Sequence, residues 1–115
     1  MIQTGVATGN QAYVDAGIRT LEWLMSHQLA PAGHFRPVGT DSFGMGREPP
    51  RLFDQQPLEA AATISACSAA WRTTQDPVWH DPATAAFRWF YGGNDLGVEL
   101  VDISTGGCAD GLHPD

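Results

Sequence analysis

Two stretches of this chain, TGNQAYVDAG from Thr8 and TQDPVWHDPA from Thr74, begin 66 residues apart and match without a gap. Asn10 meets Asp76, Tyr13 meets Trp79 and Asp15 meets Asp81; further on, Leu21, Trp23 and Leu24 meet Phe87, Trp89 and Phe90. Two unrelated amphipathic helices share apolar spacing by chance, but here the helix-start residues and an acid coincide as well. A period of this length suits a repeated helical hairpin, and it restricts the chain to architectures that stack such hairpins.

Periodicity places the helices. From Asn10 to Gln28 the residues Val14, Ile18, Leu21 and Met25 fall at helical spacing. Asn10 is suited to cap the start, and Pro31 and Gly33 follow the expected end. A second helix is predicted from Pro57 to about Thr73, with proline in the first helical position. Gln56 and Glu59 resemble a capping box around that start, and Asp54 also qualifies as a cap. Its residues Ala60, Ala61, Ala62, Ala66, Ala69 and Ala70 are small on nearly every side, which suits a helix approached closely from several directions. A third helix is predicted from Asp76-Pro77 to near Gly92-Gly93, with Pro82 forcing a kink or an initial 3₁₀ turn. The class is therefore all-α. Met1 to Ala7 reads as the tail of an earlier small-residue helix. The repeat puts the next small-residue helix beyond Asp115, so residues 1–115 are expected to be a partial domain that continues into further hairpins.

Charge narrows the partners. The net charge is −7, with six arginines, no lysine and no basic stripe, which argues against nucleic acid and anionic membranes. No apolar run approaches a membrane span and the start lacks the form of a signal peptide. Cys67 and Cys108 lack metal spacing and read as reduced thiols in a cytoplasmic protein. Nucleophile elbow, P-loop, dinucleotide fingerprint and zinc spacing are all missing, so neither cofactor nor metal is expected.

The candidate site residues lie on two long connections that should emerge at one end of the stacked hairpins. Residues 33–56 carry His34, Arg36, Asp41 and Asp54 with Phe35, Phe43 and Phe53. Residues 94–115 carry Asp95, Asp102, Asp110, His113 and Asp115, with a short strand expected at Leu100 to Ile103. Aromatic faces with forked polar groups suit a sugar. Asp54 and Asp110 are the candidate catalytic carboxylates; inverting hydrolysis would need them roughly 6.5–9.5 Å apart. Arg36, Gln55, Gln56 and His113 are the candidate substrate contacts. Plainer roles exist for each: a helix cap for Asp54, loop carbonyls for the glutamines, a turn for Asp110 and a loop anchor for His113. Cys67 and the four tryptophans are expected in packing.

At FDQQPLEAAA, NDLG and TGGCADGLHPD the chain resembles the helical toroid domain found at the C-terminal side of bacterial family 4-type glycosyltransferases. That domain belongs to the six-hairpin (α/α)6 superfamily, together with N-acylglucosamine 2-epimerases and many glycoside hydrolases. The resemblance implies a toroid fragment of roughly one and a half hairpins with long loops. It also implies work on carbohydrate: binding or positioning a sugar acceptor through loops 33–56 and 94–115, in a glycosyltransferase-type protein whose fragment alone is inactive. The alternatives are a glycoside hydrolase or sugar epimerase fragment using paired loop carboxylates, and a non-catalytic interaction module. The epimerase branch uses histidines on inner helices, and the helix from Pro57 has none.

Overall fold

The computed structural model describes residues 1–39 and 51–114. Asp41, Phe43 and Asp115, named above, lie outside them. Among the described residues the α-helices are α1 (Ile2–Thr8), α2 (Gln11–His27), α3 (Pro57–Thr74) and α4 (His80–Trp89), the last preceded by a 3₁₀ turn at Pro77–Trp79. A two-stranded antiparallel hairpin follows, β1 (Val101–Asp102) and β2 (Gly107–Cys108). The chain is thus mainly helical, and no described helix is long and apolar enough to cross a membrane.

The helix starts have local causes. Asn10 caps α2 by accepting from the Tyr13 N–H, and Asp76 caps the 3₁₀ turn by accepting from the Val78 N–H. Pro82 is the third residue of α4, where its missing N–H has no partner to lose. The expected capping box at α3 forms only in part: the Gln56 amide makes no cap bond, while its backbone hydrogen-bonds the Glu59 carboxylate. Burial outweighs that contact and raises the Glu59 pKa.

The repeat read from the sequence recurs in space. α1 and α3 end at the matched residues Thr8 and Thr74, whose hydroxyls donate to the matched carbonyls of Thr4 and Ala70. Each helix closes on a left-handed residue, Gly9 (φ 66°) and Gln75 (φ 55°). Gly5 in α1 abuts Val14 in α2, where a Cβ would come 2.7 Å from the valine side chain. The matched pair in the next hairpin, Trp71 and His80, places its rings 5.3 Å apart.

α3 touches α1, α2 and α4, which is where small side chains are needed. One apolar cluster joins Ile2, Leu21, Cys67, Ala70 and Trp79; a second joins Phe35, Ala60, Ala86, Trp89, Leu100 and Leu112. The molecule is 22 Å thick in its shortest direction, about two helix diameters. Its radius of gyration, 15.1 Å, exceeds the ~13 Å of a compact chain of this length. The hairpins therefore form an open slab.

Candidate functional site

The second cluster is the floor on which the two long connections meet. After α2 the chain turns at Gly33 and runs back, Leu29 bridging Phe35 and the Arg36 N–H reaching the Gln28 carbonyl at 2.8 Å. In this extended run side chains alternate: Phe35 is buried in the cluster, while His34 and Arg36 point to the other side. After α4, Gly92 (φ 87°) ends the helix and Asn94 fixes the following turn. Its amide donates to the carbonyls of Trp89 and Val98, and its oxygen accepts from the N–H groups of Leu96 and Val98.

That turn holds out Asp95, and three groups from the other loop close on it. Arg36 engages both carboxylate oxygens through Nε, at 3.1 and 2.8 Å, and one of them again through Nη2. His34 Nε2 lies 2.9 Å from Oδ1, and Gln55 Nε2 donates to Oδ2 at 2.7 Å. The hydrogen bonds from Arg36 hold the Asp95 carboxyl well below the usual carboxylate range against partial burial, with Gln55 and His34 adding to the effect. The same contact raises the Arg36 pKa. Gln55 is fully buried; it also donates to the Leu52 carbonyl and accepts from Trp89 Nε1 at 2.8 Å.

Gln55 also joins the loops through its backbone. It exchanges hydrogen bonds with Leu112, N–H to carbonyl, at 3.3 Å and 2.8 Å. Continuing that antiparallel register puts Asp54 opposite His113 and Gln56 opposite Gly111. Asp54 Oδ1 indeed lies 2.7 Å from His113 Nδ1. The two groups make a close contact without a directed hydrogen bond to that oxygen, which is closed to solvent. Gly111 lets the segments approach closely here: a Cβ would crowd the Gln55 carbonyl at 3.1 Å and His113 Nε2 at 3.2 Å. An open depression of about 520 Å³ lies beside the histidine, lined by Leu96, Val98, Glu99, Leu112, His113 and Pro114.

The candidates from the sequence divide on this geometry. Arg36 and Gln55 are turned inward onto Asp95. Asp54 and His113 form one pair at the surface, with side chains 40% and 57% exposed. Gln56 is exposed next to them, and Asp110 is exposed with no hydrogen bond from its side chain among the described residues. The hub itself, Asp95 with His34, stands among the polar residues of the two connections but has no role in the sequence reading. The alternation in His34-Phe35-Arg36 was its one available signal. No group of three or more potential metal ligands occurs among the described residues. Comparison with protein-family models, with curated proteins and with solved structures finds no match to this chain.

Proposed function

We propose that this chain is the sugar-facing part of an (α/α) toroid in a carbohydrate-handling, glycosyltransferase-type protein, and that its seam between loops binds a sugar acceptor. The observation that carries the reading is the pairing of the two motif segments themselves. FDQQP and DGLHP, far apart in sequence, lie side by side through Gln55 and Leu112. The seam presents Asp54, Gln56 and His113 outward, with Asp110 beyond Gly111. Next to it the depression offers Leu96, Val98 and Pro114 as an apolar surface and Glu99 as an acceptor. A pyranose ring needs both, a C–H face to cover and hydroxyls to bond. Both thiols are free, which agrees with a cytoplasmic setting.

The alternative with Asp54 and Asp110 as acid and base has less support, because Asp54 faces His113 and the Asp110 side chain makes no hydrogen bond among the described residues. The test is Asp54→Ala and Asp110→Ala, with His113→Ala beside them, in the full polypeptide. Sugar affinity and transfer to a sugar acceptor are measured for each. A loss of acceptor affinity in Asp54→Ala and His113→Ala supports the reading. Wild-type affinity and turnover in all three variants refute it, and release of reducing sugar without a donor selects the hydrolase.

A further inference from the structure

The repeat identifies what one exposed face of the molecule is for. On α2, Ile18, Leu21 and Met25 form the face that packs with Ala66, Cys67 and Ala70 of α3. Met25 Sδ lies 3.9 Å from Cys67 Sγ, and the Gln28 side chain at the end of α2 accepts from Thr63 of α3 at 3.3 Å. The residues 66 positions on are Thr84, Phe87 and Tyr91, and all three are exposed. Phe87 is 54% and Tyr91 46% accessible, and their rings pack against each other 5.1 Å apart. The other interface of the hairpin is conserved between the two halves, with Trp71 against His80 as Gly5 is against Val14. One interface is thus made in both repeats, and the other is made by α2 and, among the described residues, left open by α4.

We propose that the Thr84–Phe87 face of α4, with Tyr91 just past the helix end, is the seat of a helix of the α3 kind, supplied by a further repeat of the same polypeptide. The interface is the α2–α3 interface one repeat on. Its chemistry is specified by what lies opposite. Phe87 and Tyr91 are larger than Leu21 and Met25, so the incoming helix must be at least as slender as α3 is at Ala66, Cys67 and Ala70. Alanine, serine or glycine at spacings of three and four meets that need, and leucine or a charge in those positions does not. Two exposed aromatic rings also suit a sugar face, but the matched face on α2 is occupied by helix, and this decides for a helix.

The experiment appends a second copy of residues 56–75 to the C-terminus through a flexible Gly/Ser linker. Hydrogen exchange and ring signals of α4 are read with and without it. Docking slows amide exchange across 84–91 by about tenfold or more, shifts the Phe87 and Tyr91 ring signals, and raises the melting temperature. The gain disappears when arginine replaces the appended copies of Ala66 and Ala70, and in Phe87→Ser, which alters a surface residue of the parent chain. Unchanged exchange and ring signals on attachment overturn the proposal. So does a stable dimer of the unmodified chain that buries Phe87, which would name a second copy as the occupant. Ring shifts produced by an oligosaccharide in place of the helix overturn it in favour of a sugar platform.

Discussion

Gln55→Leu is the substitution whose cost can be worked most directly from the structure. The side chain is fully buried and makes three bonds: to Asp95, to the Leu52 carbonyl and from Trp89 Nε1. Leucine keeps the approximate volume but strands the indole N–H, itself wholly buried, at about 1–3 kcal/mol. Loss of the bond to the Asp95 carboxylate adds about 1.5–3 kcal/mol. The net loss is about 3–5 kcal/mol, a sizeable share of the roughly 6–17 kcal/mol of a chain this long. With a urea m value of about 2 kcal/mol/M, the unfolding midpoint falls by about 2 M. Circular dichroism at increasing urea reads this directly. The Leu112 N–H, bonded to the Gln55 carbonyl at 2.8 Å, should exchange faster as the seam loosens. Gln56→Ala serves as the neighbouring control, since its side chain caps nothing; it should stay within about 0.5 kcal/mol. A midpoint shift under about 0.5 M for Gln55→Leu would refute the claim that this amide ties the loops together.

Three further outcomes follow from other features. Asp95 titrates lower in the folded protein than in the unfolded chain, so its stabilisation is complete above pH about 4 and is lost as pH falls below it; Asp95→Asn should flatten that part of a stability-against-pH curve. Gln75 sits at φ 55° where its counterpart is Gly9, so Gln75→Gly should stabilise by about 0.5 kcal/mol after its amide bonds to the Trp71 and Arg72 carbonyls are lost, read by urea unfolding. Cys67 is wholly buried with its thiol pushed up to about 11, while Cys108 is exposed; a thiol reagent should modify Cys108 in the native protein and Cys67 only on unfolding.

Helix ends were legible because each is set by a residue within a turn of it. Asn10, Pro57 and Asp76-Pro77 start their helices where expected, and Gln28 and Thr74 fall within a residue of the predicted ends, but α4 stops at Trp89, short of the Gly92-Gly93 expected. The repeat was legible because helix caps and helix faces share one period. The hub at Asp95 was not, because its partners His34, Arg36 and Gln55 are 40–61 residues away and no periodic pattern links loop side chains over that distance. Arg36 and Gln55 have the chemistry expected of substrate contacts, and only the fold shows that another carboxylate of the same chain takes them up. The Asp54–His113 pair is set by a single bridge at Gln55 and Leu112. One bridge is too short to leave the alternating pattern by which a strand is recognised.

The two sets of polar residues have separable duties. His34, Arg36, Gln55 and Asp95 face one another and consume their hydrogen bonds internally. Asp54, Gln56, Asp110 and His113 project from the same backbone in the opposite sense and give the fold little. A surface contact such as Asp54–His113 contributes at most about 0–1 kcal/mol even when charged, so stability does not explain placing it there. The division predicts opposite responses. Inner substitutions should lower stability and disturb binding only through the loosened seam, whereas outer substitutions should leave the urea midpoint in place and act on binding. Equal effects of both sets on stability would mean that the outer residues are part of the scaffold, and the sugar-binding reading would lose its structural basis.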